Sequence, residues 1–126
     1  LAPNAVVILN RLCYASGNNE WGAGNPSLAV ATKRVDAYGW SFFRAGAKAV
    51  FAEGLNSPAY VLRGLFKTNL TIEEIFWSSP QAIDRYEREF KSRRTPGMEA
   101  ILDPYAPGRY YRSVIGDLDL EASDWR

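Results

Sequence analysis

The sequence predicts one α/β domain over residues 1–126, with a mainly parallel sheet flanked by helices, and three observations carry that expectation. "AVVILN" (5–10) is a continuous, β-branched apolar run, the pattern of a strand covered on both faces, and "KAVFAEG" (48–54) is a second short run of buried type. Between them Leu28, Ala31, Val35, Tyr38, Phe42 and Ala45 recur at three or four residues, the spacing of an amphipathic helix. A strand–helix–strand order of this kind makes a crossover between parallel neighbours.

Taken in order, the first strand runs into "YASGNNEWGAGNPS" (14–27), whose Gly, Asn and Ser content predicts a long loop. Ser27 after Pro26 is a helix N-cap candidate, and Gly46 is the stop for the helix over 28–45. After the second strand, Ser57 and Pro58 open a helix over 57–68. Thr71 and Glu74 have capping-box spacing ahead of Ile75, Phe76 and Trp77. "PQAIDRYEREFKSRR" (80–94) reads as an exposed helix with Ile83, Tyr86 and Phe90 inward and with supporting pairs Asp84–Arg88 and Glu87–Lys91. Thr95-Pro96-Gly97 turns the chain into a third strand (98–104). A fourth (109–118) alternates enough to be an edge strand, and the polar tail is expected to be loose.

Bulk properties narrow the functions. Of 126 residues 47% are apolar, ordinary for a globular protein, and 15 basic residues nearly balance 14 acidic ones. The basic cluster Arg85, Arg88, Lys91, Arg93 and Arg94 is interleaved with Asp84, Glu87 and Glu89, so it reads as a solvated face and nucleic acid is not an expected partner. No apolar run approaches the roughly 20 residues of a membrane helix. The single cysteine excludes an internal disulfide, and the lack of any histidine excludes a Cys–His dyad, a Ser–His–Asp triad or a histidine metal site within the chain. No metal or cofactor motif is present; Asp117 and Asp119 alternate without completing a calcium loop. Asn69-Leu70-Thr71 matches a glycosylation sequon and reads as incidental. The start at Leu1, directly before a strand, is the pattern of a processed or truncated piece.

Cys13 is the catalytic candidate. It stands just past the end of the first strand, where open α/β sheets place reacting groups, and Ala15, Ser16 and Gly17 allow close backbone approach to an oxyanion. The competing reading is a buried, inert thiol. Glu20 and Trp21, in the following loop, are binding candidates, with Glu20 accepting a basic side chain; the plainer reading is a solvated acid and an aromatic packed over the sheet end. Glu53 ends the second strand at a comparable location and is a third binding candidate, or a helix-facing or capping acid.

"VVILNRLCYASG" resembles the nucleophile segment of the caspase–gingipain–separase clan of cysteine peptidases and its CHAT-type relatives, where a hydrophobic strand ends near Ala-Cys or Gly-Cys before a Gly/Ser-rich turn. Over nearly its whole length the chain also resembles a family of bacterial surface or secreted proteins of actinobacterial type. The shared stretches are "LCYASGNNEWG", "ATKRVDAYGWSFFRAGAKAVFAEG", "VLRGLFKTNLTIEEIFW", "RTPGMEAILDP" and "RYYRSVIGDL". The resemblance implies the C-terminal half of a caspase-hemoglobinase fold, with Cys13 as nucleophile. The clan's base is a histidine in a His-Gly pair on a preceding strand, which this chain lacks, and Leu12 occupies a position usually held by Ala or Gly.

Two functions follow as expectations. One is a cysteine-peptidase-like domain, catalytically incomplete alone and completed by a histidine from an upstream segment or second chain. The other is a non-catalytic binding or assembly module of a bacterial surface or extracellular protein. Either implies a partner chain or self-association through open sheet edges.

Overall fold

The computed structural model describes all 126 residues. In chain order the elements are β1 (Ala5–Asn10), α1 (Cys13–Ser16), α2 (Leu28–Phe43), β2 (Ala47–Glu53), α3 (Ala59–Lys67), α4 (Ile72–Trp77), β3 (Arg88–Lys91), β4 (Glu99–Leu102), β5 (Arg112–Gly116) and α5 (Ala122–Trp125). The five strands form one mixed sheet in the order β1-β2-β5-β4-β3. Only β1 and β2 are parallel; β2–β5, β5–β4 and β4–β3 are antiparallel. The fold is therefore α/β as expected, but the sheet is mostly antiparallel. Only the β1–β2 connection contains a long helix. The later strands are joined by short helices and turns that return the chain in the opposite direction.

The sheet separates two apolar layers by the alternation of its side chains. Ala49 and Phe51 of β2, Ile101 of β4 and Val114 of β5 join Val61, Leu65, Ile72, Ile75 and Phe76 beneath α3 and α4. Val50, Ala100, Leu102 and Ile115 face the other way and meet Ala31 and Val35 of α2. Full burial of a side chain such as Phe51 is worth about 1.5–3 kcal/mol, so both layers contribute to holding the sheet. Val6 and Ile8 reach one layer while Val7 and Leu9 reach the other. β1 is nevertheless only half-buried, because it is an edge strand and not the doubly covered strand its composition suggests.

Three local signals at the helix ends appear as read, whereas the expected opening at Ser57 and Pro58 shifts by one residue: Pro58 is the N-cap of α3 and Ser57 Oγ accepts from Ala59 N at 3.2 Å. Ser27 Oγ accepts from Val30 N at 3.2 Å. Thr71 and Glu74 form the reciprocal capping box. Gly46 takes φ +106° where α2 has ended. Gly39 lets α2 approach β5: a Cβ there would stand 2.9 Å from Ile115 Cγ2.

Three expectations are corrected. Residues 80–94 are not a helix; the amides of Ile83 and Asp84 bond the Asp103 carboxylate at 3.0 and 2.8 Å, Asp84 is left-handed at φ +63°, and residues 88–91 pair with β4. Tertiary partners override the helical periodicity of Ile83, Tyr86 and Phe90. The strand over 112–116 is central rather than an edge, fully buried between β2 and β4. The tail is not loose. Ala122 N bonds Leu70 O at 2.9 Å, Trp125 meets Phe66 edge-on at 5.0 Å, and Arg126 Nη1 donates to Leu65 O and Thr68 O, each at 2.7 Å. No helix is long and apolar enough to cross a membrane.

Candidate functional site

The C-terminal ends of β1 and β2 lie side by side, with Asn10 paired to Glu53. Past β1 the chain turns through Arg11, which is left-handed at φ +61° and donates its N–H to Glu53 O at 2.7 Å. Cys13 then opens the single turn α1, whose chain reverses at Gly17. Cys13 is partly buried, neither fully open nor sealed in a core. The stretch expected to be all loop therefore begins with a helical turn.

That turn is tied to the approach to β5. Asn18 Oδ1 accepts from Tyr110 N at 2.9 Å, and Ser16 Oγ lies 2.9 Å from Tyr110 O and 2.7 Å from Cys13 O. Gly54 follows β2 and is wedged beneath it. A Cβ at Gly54 would stand 3.4 Å from Cys13 Cα and 3.2 Å from the Tyr111 ring. Glycine is thus what allows Cys13 and Tyr111 to close over the end of β2.

Beneath this surface lies a buried ionic group. Glu53 and Arg112 are cross-strand partners, and Arg112 Nε donates to Glu53 Oε2 at 3.1 Å. Arg112 Nη1 donates to Asp103 Oδ2 at 2.5 Å, while Nη2 donates to Phe76 O at 2.7 Å and to Tyr60 Oη at 3.3 Å. The Phe76 carbonyl is one that the end of α4 leaves without a helical partner, so Arg112 also caps that helix. Its guanidinium lies 3.9 Å from the Phe76 ring centroid. Tyr60 Oη completes the group by donating to Glu53 Oε2 at 2.6 Å.

Burial raises the pKa of Glu53, against the lowering effect of the Arg112 charge and the hydrogen bonds from Tyr60 and Arg112. Glu53 Oε1 has no hydrogen-bond partner. Burial also raises Tyr60, helped by the neighbouring Glu53 charge. For Arg112 burial acts downward, but Tyr60, Glu53 and Asp103 outweigh it and hold its pKa above the usual value. The group thus sets two carboxylates against one guanidinium.

A pocket of about 270 Å³ opens beside this group, lined by Leu55, Asn56, Gln81, Ile83, Tyr105 and Tyr111 with Asp103 and Arg112 at its base. Tyr105 and Tyr111 stack at 5.9 Å between ring centroids, and Trp21 packs on Tyr111 at 5.6 Å.

No family model, curated protein or solved structure matches this chain.

Of the residues singled out from sequence, Cys13, Trp21 and Glu53 come to one end of the sheet. Trp21 is 66% exposed over Tyr111, and Glu20 beside it faces solvent. Glu53 has 0% exposure and acts within the ionic group, so any contact it makes with a ligand is indirect. Sequence reasoning missed Tyr60, Asp103, Arg112, Tyr105 and Tyr111. One signal was available: Arg112 is a lone cation inside an otherwise buried-type strand, which requires a buried acid opposite. No three His, Cys, Asp or Glu side chains are grouped to hold a metal ion.

Proposed function

We propose that the chain is the nucleophile-bearing part of a cysteine-peptidase-like domain, with Cys13 as the nucleophile and a histidine base brought by another segment or chain. The observation that supports it most is the position of Cys13. It lies one turn past the C-terminal end of the parallel β1–β2 pair, partly accessible, and β1 has a neighbour on one side only. A strand added parallel to β1 at that open edge would bring its own C-terminal end next to Cys13. In such a site the imidazole takes the Sγ proton and the thiolate attacks the acyl carbon. The imidazolium then returns the proton to the departing amine, and water hydrolyses the thioester. The resemblance of "LCYASGNNEWG" and its companion stretches to bacterial surface proteins extends the reading to a secreted or surface-displayed setting.

The test is covalent labelling by a peptidyl acyloxymethyl ketone, read by mass spectrometry. Labelling at Cys13 that accelerates when a histidine-bearing strand is supplied, and is lost in Cys13→Ala, supports the reading. Labelling indifferent to both overturns it.

The pocket over Asp103 and Arg112 favours a second reading, a non-catalytic binding or assembly module, because it forms entirely within this chain. The two separate on Cys13→Ala, which abolishes hydrolysis on the first and leaves ligand or partner binding unchanged on the second.

A further inference from the structure

The pocket beside the ionic group has three properties that together define a ligand. The buried group behind it sets two carboxylates against one cation: Asp103 and Arg112 line the pocket, Glu53 lies beneath them, and the donors of Arg112 are divided among Glu53, Asp103, Tyr60 and the Phe76 carbonyl. Asp103 is otherwise satisfied by the neutral amides of Ile83 and Asp84, while Glu53 Oε1 has no donor. Its walls are aromatic and apolar. Tyr105 and Tyr111 stack within 14° of parallel, and Leu55 and Ile83 supply aliphatic surface. Finally, Tyr111 is 2% exposed and its phenolic oxygen has no hydrogen-bond partner in the chain.

An anion entering this pocket would meet the Asp103 carboxylate and a guanidinium whose donors are already engaged, with Glu53 buried behind them. A neutral apolar group would leave the excess charge of the buried group uncompensated. A cation on an aliphatic stem suits this lining: its charge offsets the second carboxylate of the buried group, its head lies against the faces of Tyr105 and Tyr111, and its stem covers Leu55 and Ile83. The volume of about 270 Å³ accommodates one long side chain. We propose that this pocket binds an alkyl ammonium or alkyl guanidinium group, either as a free amine or as a Lys or Arg side chain of a peptide.

The experiment titrates the full chain by calorimetry with agmatine, N-acetyl-arginine amide, N-acetyl-lysine amide, the neutral isostere N-acetyl-norleucine amide and the anionic N-acetyl-glutamate amide. The expected result is binding of the cationic compounds at least about tenfold tighter than of the norleucine compound, with the glutamate compound weakest. Tighter binding of the amino-acid amides than of agmatine assigns the pocket to peptides; the reverse assigns it to free amines. Two surface variants keep the test independent of folding, because Tyr105 and Ile83 are 42% and 41% exposed. Tyr105→Ala should weaken the cationic compounds several-fold, and Ile83→Lys should abolish their binding, with circular dichroism unchanged. Equal affinity for cationic and neutral compounds, preference for the anion, no binding by any of them, or wild-type affinity in both variants would overturn the proposal. Because the readout is binding, an inert Cys13 does not count against it.

Discussion

Arg112 and Glu53 face each other across the β5–β2 ladder, Nε to Oε2 at 3.1 Å, with both residues shielded from solvent. From this pair Arg112 also reaches Asp103 after β4 and the carbonyl of Phe76 in α4, while Tyr60 of α3 closes on Glu53. One guanidinium thereby ties two strands, a loop and two helices at the end of the sheet where Cys13 lies. Such a group specifies a unique arrangement only while every member is present.

Removing the cation strands both acids. Arg112→Leu is expected to destabilise the chain by about 3–5 kcal/mol, because it leaves Glu53 and Asp103 buried without a countercharge. Urea denaturation checks this as a fall in midpoint at unchanged slope. Glu53→Gln, which keeps an oxygen for Tyr60 and Arg112, should cost less than Arg112→Leu.

The acid side of the pH profile should be unusually favourable. Glu87 is raised to about 7 from its ordinary 4.5 by partial burial, a hydrogen bond with Asp84 and the charge of Glu89, and Glu53 is raised by burial. A carboxyl whose pKa is higher folded than unfolded binds more protons in the native state. Its contribution is complete below the unfolded value and is lost as pH rises through the folded one. Stability from Glu87 should thus decline between pH 4.5 and 7. Glu87→Gln should flatten that slope in denaturation midpoints measured across the interval.

The ordered tail should be part of the cooperative unit. Trp125 packs edge-on against Phe66 and against the layer beneath α3 and α4. Trp125→Ala is expected to cost about 2 kcal/mol, less than a fully buried aromatic because the residue is half-exposed. Amide exchange should find Ala122 protected through its bond to Leu70 O. Exchange at the free-peptide rate would contradict the assigned packing.

Close helix–sheet approach predicts a further loss. Gly39→Val places Cβ 2.9 Å from Ile115 Cγ2 and 3.0 Å from Phe43 Cε2, an overpacking worth about 1–3 kcal/mol. Thermal denaturation of the single variant reads it directly.

What the sequence made legible followed from short-range chemistry. The Ser27 cap, the Thr71–Glu74 capping box, the Gly46 stop and the β1–α2–β2 unit all depend on neighbours within a few residues or on one strong periodicity. What stayed hidden depended on distant partners. The amides of Ile83 and Asp84 could form a helix or serve Asp103, and only the position of β4 decides between them. Asn69, whose sequon match reads as incidental, accepts from Ser123 N at 2.9 Å and donates to Glu121 at 2.9 Å, a tie to the tail that no local pattern reveals. Cys13 could be placed near the end of β1 from sequence. Its closeness to Tyr111 required β5 to return beside β2 and Gly54 to carry no side chain.

The reactivity of Cys13 decides whether it is the nucleophile position. Iodoacetamide alkylation is followed by mass spectrometry in the native chain and in the same chain unfolded in guanidinium. Native alkylation is expected at a rate comparable to or faster than that of the unfolded thiol, because Cys13 is partly accessible at the sheet end. Native alkylation about a hundredfold slower would mark a sealed core thiol. It would contradict the assignment of Cys13 as the nucleophile position.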